Sequence, residues 1–422
     1  MLFKDSISKQ AEVLVIGDEV VSGLIVDTNS KYLGEQIHAL GIGVSRITKV
    51  GDDPSIIEQC VTQALQRSRW IILTGGLGIT HDDITKSVLI KVFGSGLRKD
   101  KKVETMLQEV FSKRNREVPE SVQSQCEVPD NCQVLYNDVG TAPGLRFEKD
   151  GNVLFCLPGA PHEMKHLFEE YISPEMVKHS SQTFSQRILK TTGVSEADLW
   201  EKIGSISTLQ EKATLASLPS HLGVRIRLSC LAETKEKGEA VLDEVEQSLM
   251  SRIGEYVYGK NEEMLEAVVG RLLTEKSMTL ATAESCTGGL IGHRLTQVSG
   301  SSSYYKEGFV VYSNDAKVSR LGVDPEVIND HGAVSEPVAR LMAEGVCRVT
   351  GADIGVSVTG IAGPTGGTEN KPVGLTYIAI SDSAGTWCRK FIYTHDRIKN
   401  KERVAQTALN FVRLKLQDQL RE

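Results

Sequence analysis

Residue types able to carry out nucleophilic chemistry gather in the last third of the chain, around Ser285, Tyr312 and Lys317. Ser285 follows an apolar run, Thr279–Ala283, that reads as a strand, and sits in Glu284-Ser-Cys-Thr-Gly-Gly289, which leads toward a helix. A side chain there is lifted out of a sheet and ringed by the N–H groups of a helix start, donors suited to an oxyanion. That predicts a serine nucleophile, with Cys286, Thr287, Gly288 and Gly289 lining the substrate. Serine is also a favoured helix N-cap, and Cys286 is a rival nucleophile once ionised, although a place one residue into the helix suits a packing role. Lys317 follows the alternating run Phe309–Tyr312 and falls in the first turn of a helix capped by Ser313 or Asn314. There it faces the positive end of the helix dipole, which lowers its pKa and makes a neutral amine available as general base. Tyr312 is placed to relay or orient the proton. The plainer alternative is a solvated lysine beside a packing tyrosine.

Two further stretches in this region suit a phosphate or an amide. Thr359-Gly-Ile-Ala-Gly363-Pro-Thr-Gly-Gly367 follows a predicted strand, and the bare backbone at Gly360, Ala362 and Gly363 permits close approach of a ligand. It lacks the Lys-Ser/Thr ending of a Walker loop. Arg397 and Arg403, near the start of the final predicted helix, could hold a phosphate, whereas Lys399 and Lys401 read as a solvated helix end.

A separate constellation lies near the other end. Thr74-Gly-Gly-Leu-Gly78-Ile-Thr80-His-Asp-Asp83 follows a buried strand, and Gly75, Gly76, Gly78 and Thr80 suit contact with a phosphate. Asp82 and Asp83 could hold a divalent cation through oxygen, or simply cap the helix that follows. Asp18-Glu19 and Asp52-Asp53 each follow another predicted strand, so a parallel sheet would bring them to the same edge. The metal ligands expected on this reading are Asp18, Glu19, Asp82 and Asp83.

The elements that must position these groups alternate between apolar strands and amphipathic helices. Glu12–Ile16, Val44–Val50 and Trp70–Leu73 are strand-like, with helical spacing between them at Leu33, Ile37 and Leu40, then at Ile57, Val61 and Leu65. The pattern predicts an α/β fold of two sandwich domains with mostly parallel sheets, joined by a small α+β connector. The expected boundaries are 11–178, 183–258 and 261–420. At 422 residues the chain exceeds one ordinary core. Forty-eight basic residues against 55 acidic give a formal charge of -7, which excludes a generic nucleic-acid surface but leaves small phosphorylated ligands open. Eight scattered cysteines without metal-like spacing point to a reducing, cytoplasmic setting. No apolar stretch approaches the roughly 20 residues of a membrane span, and no secretory leader is expected.

Four runs carry a family resemblance: Ala283-Glu-Ser-Cys-Thr-Gly-Gly289, Gly308-Phe-Val-Val-Tyr-Ser-Asn-Asp-Ala-Lys317, His331-Gly-Ala-Val-Ser-Glu-Pro337 and Gly360-Ile-Ala-Gly-Pro-Thr-Gly-Gly367. Together they resemble the CinA C-terminal domain, the nicotinamide mononucleotide deamidase family. The resemblance implies hydrolysis to nicotinate mononucleotide and ammonia without a cofactor, with Ser285 as nucleophile and Tyr312 and Lys317 assisting. The N-terminal motifs, with Asn137-Asp-Val-Gly-Thr-Ala-Pro-Gly144 and Leu157-Pro-Gly-Ala-Pro-His-Glu-Met164, are similar to the MoaB/MogA-like molybdopterin-binding domain of full-length CinA proteins. Leu218–Leu228 is similar to that family's middle segment. The likeness implies an ADP-ribose pyrophosphatase dependent on a divalent metal (Mg, Mn or Co) and potassium, and a homodimer acting on small nucleotides. Ile79 stands where the family has proline, and Val20-Val21 replace its leucines. Competing readings are a non-catalytic, competence-associated ligand-binding protein, and molybdopterin adenylylation in the N-terminal domain.

Overall fold

Ala11, Val13 and Val15 point to one side of their strand while Leu14 and Ile16 point to the other, and both sets are buried. Trp70 and Ile72 alternate in the same way with Ile71 and Leu73. An uninterrupted apolar run is what a strand needs when helices cover both faces of its sheet. In this computed structural model, which describes residues 10–80, 83–112, 116–180, 182–394 and 396–420, both strands lie inside such a sheet. The chain divides into two compact units, one of residues 1–185 with 230–241, the other of 186–229 with 242–422.

The first unit holds strands β1 (Gln10–Ile16), β2 (Gly43–Val50), β3 (Trp70–Thr74), β4 (Leu97–Lys99), β5 (Glu127–Pro129), β6 (Gln133–Leu135), β7 (Gly144–Lys149) and β8 (Asn152–Leu157). Its main sheet runs β2-β1-β3-β8-β7-β6. The first four are parallel, and β7 and β6 continue antiparallel, so the sheet is mixed at one edge. Helix Thr28–Ala39 buries Leu33 and Ile37 on one face, and helix Pro54–Arg67 buries Ile57, Val61 and Ala64 on the other. Glu12 is fully buried within β1, held by Arg67 through Nε to Oε2 at 2.9 Å and Nη2 to Oε1 at 2.5 Å. Removing the guanidinium strands that carboxylate, so Arg67→Ala should cost about 3 kcal/mol in urea unfolding of the full chain.

Most of a small sheet, β10-β11-β9-β12, belongs to the second unit; it is made of β9 (Thr183–Thr191), β10 (Thr214–Ser220), β11 (Gly223–Ala232) and β12 (Val257–Lys260). Its larger sheet, β14-β13-β15-β16-β17, comprises β13 (Leu280–Glu284), β14 (Tyr305–Val310), β15 (Ile354–Gly360), β16 (Leu375–Asp382) and β17 (Gly385–Ile392). The first three of these are parallel, whereas β16 and β17 form an antiparallel hairpin against β15. Val356, Val358, Ile378 and Ile380 pack on one face with helices Leu265–Glu275 and Arg397–Leu416. Ala281 and Ala283 pack on the other with Leu321, Val338 and Met342. The α/β sandwich expected for each end of the chain is present, with sheets more mixed than the alternation of strands and helices implied. No helix among the described residues is long and apolar enough to cross a membrane.

Candidate active site

Ser285 and Lys317 come together because β13 and β14 are parallel neighbours, pairing Glu284 with Val310 at their carboxyl ends. Ser285 is the first residue beyond β13 and ties its own N–H to Val358 O at 3.0 Å. The chain leaving β14 turns into helix Asn314–Leu321, whose N-cap Ser313 accepts from Ala316 N at 3.1 Å. Lys317 is the fourth residue of that helix and is only 1% exposed. Its Nζ lies 3.2 Å from Ser285 Oγ, 2.9 Å from Val311 O and 3.4 Å from Tyr312 O. Burial pushes its amine below the usual lysine range. A neutral amine seated there can turn two N–H groups to the carbonyls and its lone pair to the serine hydroxyl.

The turn after Ser285 differs from the sequence expectation. The helix does not begin at Cys286 but at Leu290, and residues 285–289 form a tight turn in which Gly288 and Gly289 have φ of +63° and +93°. Only glycine takes that backbone without strain. The N-terminal donors of the short helix are not open to a ligand, because the buried Glu284 carboxylate takes Gly289 N at 3.0 Å, Ile291 N at 3.0 Å and Gly292 N at 2.8 Å. The turn itself, at Cys286 and Thr287, is the remaining source of donors beside the hydroxyl. Cys286 is buried, and its thiol is pushed up to about 12 by desolvation, which makes it inert at neutral pH. Thr287 is fully buried, its hydroxyl without a hydrogen-bond partner.

The other residues singled out in the sequence divide into two groups. Arg397 opens the long helix and gives Nη1 to Gly363 O at 2.9 Å and Nη2 to the Tyr312 hydroxyl at 3.0 Å. Tyr312, 60% exposed, is thus bound to Arg397, and its hydroxyl makes no hydrogen bond to Ser285 or Lys317. The relay role expected for it is corrected to one at the mouth of the site. Gly360 ends β15, and Ala362 O accepts from Asn400 Nδ2 at 3.0 Å, so this loop is pinned to the start of the helix. Arg403 does not join Arg397. Six residues along a helix turn it about 600°, away from the first turn's face, and its Nε bonds His221 O at 3.2 Å. Lys401, expected to be solvated, instead carries Nζ to 3.6 Å from where a side chain on Gly288 would begin. Its spacing of four residues from Arg397 was the signal available for a shared face.

In the first unit the carboxyl ends of β1 and β3 open onto a cleft of about 980 Å³ lined by Asp18, Glu19, Asp52, Gly75, Gly76 and Gly78, with Thr80, Asp83 and Glu163. A Cβ on Gly75 would stand 2.1 Å from Ile16 O, so the glycine lets the loop press against the end of β1. The carboxylates, however, serve the backbone. Asp83 takes Gly78 N at 2.7 Å and both Thr80 N and Oγ1, at 2.8 and 2.6 Å. Asp18 and Asp52 each accept the other's N–H, at 3.1 and 2.9 Å. Among the described residues no group of three or more His, Cys, Asp or Glu forms a metal-ligand set. Of the expected set of Asp18, Glu19, Asp82 and Asp83, Asp18 and Asp83 brace the loop in this way, and Asp82 lies outside the described residues.

Comparison with known proteins matches three successive segments of the chain. Residues 12–178 match the model of a probable molybdopterin binding domain, 186–259 that of the damage-inducible protein CinA KH domain, and 262–416 that of the CinA C-terminal domain. A putative competence-damage inducible protein of Caldicellulosiruptor bescii is 41% identical over 408 residues, 97% of this chain and 99% of its own. A CinA-like protein of Chloroherpeton thalassium is also 41% identical, over 96% and 98% of the two chains. Among solved structures, a competence/damage inducible protein, CihA, from Agrobacterium tumefaciens is 39% identical and covers 36% of this chain and 95% of its own, with a TM-score of 0.35.

Proposed function

This chain belongs to the CinA family, and from that premise we propose that Ser285 and Lys317 are the catalytic pair of an amidohydrolase converting nicotinamide mononucleotide to nicotinate mononucleotide and ammonia. The observation that carries this reading is the 3.2 Å approach of a buried amine to a serine hydroxyl at a sheet's carboxyl edge. Lys317 takes the hydroxyl proton as Ser285 Oγ bonds to the carboxamide carbon. The resulting oxyanion is held by N–H groups of the turn. Lys317 then delivers the proton to the departing nitrogen, the C–N bond breaks, and ammonia leaves an acyl-serine. Water, deprotonated by the same amine, attacks the ester and restores Ser285 with release of the carboxylate. Every proton passes through Ser285, Lys317, the departing nitrogen or the water, and the net change is addition of one water across the amide.

Purified full-length protein incubated with nicotinamide mononucleotide and a chelator should release ammonia at the rate seen without chelator. Absence of ammonia from a folded protein, or its loss on chelation, would overturn the scheme. Cys286→Ala should keep the rate within about threefold, since a protonated thiol buried behind the turn does not compete with the serine; a collapse with intact fold would transfer the nucleophile's role to sulfur.

For the N-terminal cleft we propose a phosphate-bearing ligand of the ADP-ribose class, supported by the glycine turns at the ends of β1 and β3. No step is assigned to a cation, because Asp83, Asp18 and Asp52 already brace backbone N–H groups. AMP release from ADP-ribose on adding magnesium, manganese or cobalt with potassium would support hydrolysis there. Adenylyl transfer to molybdopterin without such release would favour the transferase alternative.

A further inference from the structure

A second cavity, of about 1180 Å³, opens in the second unit, and neither Ser285 nor Lys317 lines it. One wall is the face of helix Arg397–Leu416 that carries Arg403, Thr407, Asn410 and Arg413, with Arg389, Phe391 and Tyr393 from the end of β17. The other is built from the loop after β9, the helix Glu196–Ile203, the β10–β11 turn and Tyr256.

The two walls differ in charge. Arg413, 1% exposed, is held only by neutral oxygens: Asn410 Oδ1 and Gln417 Oε1 at 2.9 Å, Glu255 O at 2.8 Å and Val257 O at 3.4 Å. No carboxylate pairs with it among the described residues, and burial alone depresses its pKa to about 10. A buried guanidinium without a counter-ion is costly, and an anion entering beside it would relieve that cost. Arg403 gives Nε to the His221 carbonyl and likewise meets no carboxylate among the described residues. Glu196, Asp198 and Glu201 stand on the opposite wall, where Asp198 accepts from Ser195 Oγ at 2.7 Å. On the cationic wall Phe391 and Tyr393 stack with ring centroids 5.8 Å apart. Cations and flat rings on one side and acceptors for hydroxyl groups on the other match the three parts of a nucleotide.

We infer that this cavity is a second ligand site, for a nucleoside monophosphate whose phosphate sits on the helix face that carries Arg403 and Arg413, with the base against Phe391 and Tyr393 and ribose hydroxyls toward the acidic wall. It is separate from the amide site, since Arg397 and Arg403 address different faces of one helix.

Calorimetric titration of the full-length protein with AMP tests this, with adenosine and inorganic phosphate as partial probes. AMP should bind, and Arg403→Ala and Arg389→Ala should each weaken it tenfold or more, whereas Ser285→Ala and Arg397→Ala should leave it unchanged. Adenosine and phosphate should each bind at least tenfold more weakly than AMP. Arg413→Gln should act like Arg403→Ala if it folds, and if it does not, the two variants at the half-buried Arg403 and Arg389 decide. The inference fails if AMP gives no binding heat at millimolar concentration. It fails equally if AMP isotherms are the same in Arg403→Ala, Arg389→Ala and the unmodified protein, or if Arg397→Ala alone removes binding.

Discussion

Lys317→Met should fold normally and yet release ammonia from nicotinamide mononucleotide on the order of 10³-fold more slowly or worse, because it removes the base proposed to activate Ser285. Ser285→Ala should lose at least as much, since no other activated hydroxyl or thiol stands at the turn. Lys317→Arg should be equally inactive despite keeping the charge, because a guanidinium does not give up its proton in this range. The pH dependence has a definite sign. The amine acts only when neutral, so kcat/KM should fall about tenfold per unit of pH below its folded pKa and level off above it. Burial lowers that pKa, so the plateau should begin below the ordinary lysine range. The same shift makes the folded state bind fewer protons than the unfolded one at this residue. Its contribution therefore opposes folding in full below the folded pKa, fades as pH rises from there, and is gone above the unfolded lysine's pKa, so Lys317→Met should lose less stability on acidification than the unmodified protein. Parallel measurement of rate and melting temperature against pH checks both statements. A flat rate profile in that range, or full activity in Lys317→Met, would remove the amine from the mechanism.

Glu284→Ala should be the most damaging change to the architecture around the turn. One buried carboxylate satisfies Gly289, Ile291 and Gly292 N–H, and deleting it leaves all three donors unpaired inside the protein. At roughly 1–3 kcal/mol for each unsatisfied donor, partly recovered by water and relaxation, the loss should be about 3–5 kcal/mol. Glu284→Gln keeps the shape but turns one amide nitrogen toward a donor, so it should cost about 2 kcal/mol. In that folded variant kcat should drop on the order of 10²-fold with a smaller change in KM, because a displacement of Ser285 near 1 Å is enough to spoil attack. Unfolding curves and steady-state kinetics on both variants separate the effects. A Glu284→Gln protein with unaltered kcat would show that the turn holds Ser285 without this carboxylate.

The pairing of Ser285 with Lys317 was legible because each follows a strand of the same parallel sheet, and parallel strands deliver their carboxyl ends to one edge. The same reasoning placed Asp18, Asp52 and the Gly75–Gly78 loop around one cleft. What those residues do once assembled was less legible. Aspartates in a loop read alike whether they bind a cation or brace N–H groups, and only the contacts of Asp83 and Asp18 distinguish the two. The late start of the helix at Leu290 was hidden because glycines such as Gly288 and Gly289 can open a helix or delay it. Strand β17 escaped the sequence reading because it is an edge strand whose residues are mostly half-exposed, without a continuous apolar run. Arg403 was drawn to the wrong site by closeness in sequence to Arg397, and a count of degrees around the helix would have parted them.

The position of Glu284 also bears on how the product of the proposed reaction is released. With the positive pole of the short helix already occupied by a resident anion, the floor of the turn has little attraction left for a second one. An uncharged carboxamide enters such a place freely, whereas the acid formed from it meets repulsion where the amide met none. The protein's own buried charge then favours departure of what it has made over its return.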